Sequence, residues 1–348
     1  MKPLIYWISQ FTEVEFDVYM LQKKPNLSFD LRICHLNKDS TPFISRFPDM
    51  FYDFADSNSE KGRLAVVERA VKQNPDLIII KYGYPFCYDN TDVTNKLKEI
   101  CKGQNLALFC SEQGATRIHQ EKVVRSFDWI LVNNTEDLNY YQQAYPHKKY
   151  SLLPFGCVPH WQKRVEPKES YKSQIVVDGN PFYYSKEFQD KKISIDNLVI
   201  PIAKANKYDL AVWGHKSGEL GWEGIPHIGK YYRGSYLYNE VPHIYSSSKI
   251  YLGITANIIN GGYGKKLATA LACGIFVIWG ETKGIHNAFE WKKNLVWSGN
   301  PQVTLDLVDY YLENEKEREK IALEGQKYAY ANLDWEKNIM RILKEASK

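Results

Sequence analysis

Short apolar runs rich in Ile, Leu and Val alternate along this chain with longer amphipathic stretches, the pattern of buried parallel strands joined by crossover helices. In the first half the runs predict strands near 4–8, 29–35, 76–81, 106–110, 129–132 and 150–153, with helical periodicity between them, as over 90–102 and 135–144. Asn133-Asn-Thr-Glu-Asp137 supplies cap residues and early acids for the second of these helices. The alternation is broken by Pro154, Pro159 and Pro167 and begins again at Ser173-Gln-Ile-Val-Val177, so the proline-punctuated stretch reads as a linker. Beyond it, strands are predicted near 209–213, 225–228, 249–255, 275–279 and 295–297, and helical patterns over 301–313, 315–331 and 335–346 close the chain. The economical architecture is α/β: two Rossmann-like, doubly wound domains, 1–160 and 161–334, facing each other across a cleft. The stretch 335–348 is expected to be a final helix that packs back toward the first domain.

A length of 348 residues suffices for two such cores. No apolar run approaches the roughly 18 residues of a membrane span. The opening stretch Met1–Gln10 has too short an apolar segment for a secretory signal and reads as a strand. Six scattered cysteines, with no Cys-x-x-Cys pair, point to a reduced, cytoplasmic setting. A net charge of +4 without any block of like charges permits phosphate ligands and does not call for a nucleic acid. The aromatic content, 14% with 25 tyrosines, includes Pro181-Phe-Tyr-Tyr184 and Lys230-Tyr-Tyr-Arg233, whose rings suit stacking on sugars or bases as well as packing.

The densest candidate chemistry lies in Gly261-Gly-Tyr-Gly-Lys-Lys266, followed by the small-residue helix Leu267–Cys273, a turn at Gly274 and the apolar run Ile275–Trp279. In open parallel sheets, glycine turns and helix N-termini at the carboxyl ends of strands face anionic ligands. Lys265 and Lys266 open this helix, where cations are unfavourable unless an anion sits nearby, and a diphosphate resolves that conflict. The alternative for the same residues is a packing turn with solvated lysines. A Walker loop is excluded, because Ile259 stands where its first glycine belongs and Lys266 where Ser or Thr is needed. The dinucleotide fingerprint fails as well, with Leu267 at its third glycine.

The segment resembles the carboxy-terminal half of GT-B glycosyltransferases, particularly the CgeB-like and group 1 families. In these a glycine loop leads into a helix ending Glu-Ala-Leu-Ala-Cys-Gly and then an apolar strand; here the run is Lys266-Leu-Ala-Thr-Ala-Leu-Ala-Cys-Gly274. Leu152-Leu-Pro-Phe-Gly156, Val212-Trp-Gly-His215, Tyr232-Arg-Gly234 and Ile244-Tyr-Ser-Ser-Ser-Lys-Ile250 are also similar, so the resemblance spans about 150–345. It implies a nucleotide-sugar donor, such as a UDP-sugar, held by the second domain through Gly214, His215, Gly262, Tyr263, Gly264, Lys265, Lys266 and Thr269, with the acceptor on the first. It implies hexosyl or pentosyl transfer without a cofactor or metal, and the chain offers no Asp-x-Asp triplet to bridge a cation to a diphosphate. One position departs from the family. A glutamate that accepts from both ribose hydroxyls is replaced by Thr269, whose hydroxyl cannot accept as a carboxylate does. Either another group such as Glu281 holds the ribose, or the donor differs, or transfer has been lost.

An inverting transfer needs a base for the acceptor hydroxyl, and Glu112, just past the strand 106–110, is the catalytic candidate. Similar strand-end acids serve several GT-B enzymes; the same residue also suits a helix N-terminus. Glu13 and Glu15 are the alternatives. His215 and His286 each admit two readings, contact with a donor or a plain surface histidine, whereas His119 falls in a helical pattern as a structural residue. Three functions follow: transfer to a glycan or protein-linked acceptor; transfer to a hydroxymethylated base in phage DNA, for which Arg117, Lys122 and Arg125 would form a basic helix face; or a carbohydrate-binding or scaffold protein that keeps the fold without turnover.

Overall fold

Runs such as Leu77-Ile-Ile-Ile-Lys81 and Ile175-Val-Val177 have no polar face to give to water, so they must lie at the centre of a sheet covered on both sides. The computed structural model places them there. It describes residues 2–9, 13–36, 50, 52–55, 59–81, 91–110, 124–186, 189–218, 221–255 and 262–347. Contacts divide the chain into two units, 1–154 with 335–348, and 155–334.

In the first unit the strands are β1 (Leu4–Ser9), β2 (Asp30–His35), β3 (Asp53–Phe54), β4 (Leu77–Lys81), β5 (Leu106–Cys110), β6 (Trp129–Val132) and β7 (Lys149–Leu152). They form one parallel sheet in the order β3-β2-β1-β4-β5-β6-β7. β1 sits at the turning point, with Ile5 beside Leu31 on one side and Leu77 on the other. Helices α1 (Glu13–Gln22), α2 (Glu60–Val71), α3 (Thr91–Ile100) and α4 (Thr135–Ala144) accompany the strands. The expected cap of α4 is Asn134, whose side chain accepts from the Asp137 amide.

The second unit repeats the plan. Its strands are β8 (Ser173–Gly179), β9 (Leu210–Gly214), β10 (Tyr232–Gly234), β11 (Ser248–Gly253), β12 (Phe276–Gly280) and β13 (Val296–Ser298), in the parallel order β10-β9-β8-β11-β12-β13. Its helices are α5 (Gln189–Ala205), α6 (Val241–Ser246), α7 (Lys265–Ala272), α8 (Lys283–Ala288), α9 (Pro301–Glu313) and α10 (Glu315–Asn332). The expected strand at 225–228 is instead a turn. Ile225 and Ile228 are buried, but together with Trp222 they follow a three-residue spacing set by consecutive turns, not a strand. The sheet is extended by β10, in which Tyr232 and Gly234 are partly buried and Arg233 is exposed.

The final helix, α11 (Trp335–Ala346), belongs to the first unit. Trp335 is fully buried edge-on to Trp7, with ring centroids 6.0 Å apart, and its indole donates to Asp17. Glu336 accepts from the Ser28 amide at 2.9 Å and from Lys24, which ties the start of the helix to the connection between α1 and β2.

Candidate functional site

In each sheet the chain winds outward from its first strand and then returns to that strand's other side. The return makes a switch point, between β1 and β4 in one sheet and between β8 and β11 in the other. In open parallel sheets ligands gather at such points.

At the second switch point a buried acid meets the lysine-bearing helix. Asp178, one residue before the end of β8, is 1% exposed. Its Oδ2 lies 2.7 Å from Nζ of Lys266, the second residue of α7, and also accepts from the Tyr236 hydroxyl. That same hydroxyl accepts from Lys266 at 2.7 Å. The other oxygen, Oδ1, accepts from Tyr245 at 3.0 Å. Burial opposes ionisation of Asp178, but the Lys266 charge and the hydrogen bonds outweigh it and hold the carboxyl below its ordinary value. Burial first, then the Asp178 charge, push the Tyr245 and Tyr251 phenols well above theirs, so both stay neutral. Gly179 makes the approach possible: its φ is +117°, and a Cβ there would lie 3.1 Å from the Lys266 Cε.

A second buried set lies one turn along α7. Thr269 is 1% exposed; its hydroxyl accepts from Gln162 Nε2 at 3.1 Å and lies 3.2 Å from the Tyr238 hydroxyl. Lys265, also buried, sets its ammonium 3.8 Å from the centre of the Tyr238 ring, a cation–π contact. The Trp161 ring packs against the same tyrosine, with centroids 5.6 Å apart. Thr269 is therefore engaged inside the protein.

The remaining expected residues separate into packing and open positions. Gly214 ends β9 at a φ of +135°, where a Cβ would fall 2.0 Å from the Gly179 carbonyl oxygen, so it is required by the β8–β9 approach. Its own carbonyl accepts from Tyr232 and Ser235. His215 is exposed just beyond it. Tyr263 is buried edge-on against Phe289 at 5.2 Å, and burial drives its phenol far above the usual range. Gly264 is the N-cap of α7, and Gly262 is buried with its carbonyl 3.5 Å from the Thr282 hydroxyl. Glu281, next to Thr282 at the end of β12, keeps a half-exposed carboxylate 3.0 Å from His286 Nε2, and the His286 ring lies against Trp297. The glycine loop's first residue, Gly261, lies outside the described residues.

In the first unit Glu112, His119, Arg117 and Lys122 lie outside the described residues, as does the side chain of Glu13. Arg125 donates to the Tyr145 hydroxyl. Glu15 is fully buried, 3.1 Å from Lys81 Nζ at the end of β4, and accepts from the Trp7 indole at 3.1 Å. It is an internal ion-pair partner, with no exposed oxygen to serve as a base.

Asp178, Tyr236, Tyr238 and Gln162 were not singled out from the sequence. The one local sign for Asp178 is an acid ending an apolar strand directly before a glycine, in Ile175-Val-Val-Asp-Gly179.

Residues 194–344 match the model of a glycosyl transferase-like family. No curated protein matches the chain by sequence. Among solved structures it is similar to HepE of Anabaena in complex with UDP-glucose, at a TM-score of 0.68 and 12% identity over 99% of both chains. It is similar to a sucrose-phosphate synthase from Thermosynechococcus elongatus, at 0.64 and 13%, over 99% of this chain and 98% of that one. A glycosyltransferase from Rickettsia africae gives 0.66 and 10%, over 100% and 99%. At these identities the likeness is one of fold.

Proposed function

We propose that this chain, of GT-B fold and with residues 194–344 belonging to the glycosyl transferase-like family, transfers a sugar from a nucleoside diphosphate donor to a hydroxyl acceptor. The observation that carries the reading is α7, inside the matched segment, which opens on Lys265 and Lys266 at the switch point of a parallel sheet. HepE, of similar fold, is a UDP-glucose complex, so uridine diphosphate sugars are the first donors to try. In the reaction the bond from the anomeric carbon to the diphosphate oxygen breaks and the nucleoside diphosphate leaves with the electron pair. The acceptor oxygen bonds to the same carbon and gives up its proton. In an inverting transfer Glu112 takes that proton. Lys266 and the amides opening α7 stabilise the charge that develops on the leaving group, with no divalent ion in this reading.

The ribose is assigned to Glu281. Thr269 is committed to Gln162 and Tyr238, whereas the Glu281 carboxylate is half exposed and adjoins Thr282, which contacts the glycine loop. A carboxylate accepts from a vicinal diol as a hydroxyl cannot. We take the acceptor to be a glycan or protein-linked hydroxyl, because a net charge of +4 without any block of like charges does not call for a nucleic acid.

Thermal stabilisation by a panel of nucleotides and sugar nucleotides tests the reading, since a ligand that binds only the folded state raises the melting temperature. A shift with one sugar nucleotide that disappears in the Lys265→Ala/Lys266→Ala variant supports it. A folded protein that responds to none of them would be a binding or scaffold protein instead.

A further inference from the structure

The ammonium of Lys266 already has an anion. Asp178 Oδ2 lies 2.7 Å away, on a carboxylate held from the other side by Tyr245 and bridged to the same lysine by Tyr236. The partners differ in freedom. The Asp178 side chain is 1% exposed and anchored in the sheet; that of Lys266 is 17% exposed, on a flexible stem that passes Gly179. A diphosphate arriving at Lys266 must therefore share the ammonium with a carboxylate that cannot withdraw.

We propose that Asp178 is a positioning residue that serves as the fixed counter-anion of Lys266. It aims the ammonium and keeps its hold on a nucleoside diphosphate weaker than that of an uncompensated lysine, so the leaving group is stabilised during transfer and released after it. The proposal rests on the donor reading given above. A lysine whose only task is phosphate binding needs no buried acid, and burying one is unfavourable unless it is paired. Three hydrogen-bond donors converging on Asp178 meet that requirement and also lock its direction.

Calorimetric titration of UDP and, separately, inorganic pyrophosphate tests this on the full chain. Wild type is compared with Asp178→Asn and with Asp178→Asn/Lys266→Met. Removing one negative charge several ångströms from the ligand, at an effective dielectric near 20, should tighten binding of both probes by on the order of tenfold. The double variant should lose that gain. A merely structural Asp178 gives the opposite, a folded Asp178→Asn that binds equally or more weakly, and overturns the proposal.

If Asp178→Asn does not fold, Tyr236→Phe reports instead. Loss of the bridging hydroxyl loosens the clamp, so a gain of about two- to threefold is expected; no gain or a loss overturns the proposal. Tightening for pyrophosphate with no UDP binding by any variant leaves the counter-anion standing and removes the donor reading. UDP binding that Asp178→Asn fails to tighten does the reverse. If no variant binds either probe, both fall.

Discussion

Each unit holds a lysine–carboxylate pair across its switch point, and the two pairs differ in one respect that separates structure from chemistry. In both, the acid comes from the side of the first strand and the lysine from the side of the returning strand: Glu15 follows β1 and Lys81 ends β4; Asp178 lies one residue before the end of β8 and Lys266 follows β11. The first pair is sealed, with both side chains 0% exposed and the Trp7 indole closing over Glu15. The second leaves the lysine 17% exposed. A ligand cannot reach Lys81 without opening the core, so that pair acts through stability and register. Lys266 can exchange part of its hydrogen bonding for a ligand while Asp178 stays in place. The same pairing of charges across a switch point, with strand and helix exchanging the acid and the lysine, is thus given two tasks by burial.

The sharpest way to break this comparison is Lys81→Met. It leaves Glu15 as a buried charge without its ion-pair partner and should lower stability by about 3–5 kcal/mol in urea unfolding. A loss under about 1 kcal/mol would mean the pair is not sealed. Next, Gly179→Ala puts a Cβ against the Lys266 stem at a φ of +117°, a strain of roughly 1–3 kcal/mol. Nucleotide binding should weaken with it; binding that survives unchanged would detach Lys266 from the ligand. Thr269→Val removes one hydrogen-bond partner from Gln162 and Tyr238 and should cost about 1–2 kcal/mol. It should leave the preference for UDP over 2′-deoxy-UDP untouched, whereas Glu281→Gln should reduce that preference.

The smallest effect is in pH. The Asp178 carboxyl is held below its ordinary value, so the stability that its ionised form contributes is fully present above the unfolded carboxyl pKa of about 3.9 and is lost as the pH falls through the lowered folded value. The stability gap between wild type and Asp178→Asn should therefore be widest above about pH 4 and narrow below it in acid titrations. A gap that widens on acidification would contradict the ion pair.

What could be read from the chain beforehand follows the range of the interactions. Leu77–Lys81, Leu106–Cys110, Trp129–Val132 and Leu210–Gly214 are strands because their apolar character is local, and Asn134 caps α4 through contacts three residues away. The turn at 225–228 misled because buried isoleucines look alike in a strand and in consecutive turns, while the true edge strand, Tyr232-Arg-Gly234, carries no apolar run. The lysines of α7 were legible from glycine spacing. Their partners were not: Asp178 is 88 residues from Lys266, and Gln162 is 107 from Thr269, so only the folded sheet brings them together.

The most direct test of the account is the rate at which the full chain releases nucleoside diphosphate from UDP-glucose and a panel of other sugar nucleotides, with water taking the sugar in place of the acceptor hydroxyl, compared with Lys266→Met. The account predicts release from at least one donor, at least about tenfold slower in the variant, the loss expected when one charge-stabilising donor is removed from a leaving group. Folded wild-type protein that releases nothing from any donor, or a Lys266→Met variant as fast as wild type, would contradict it.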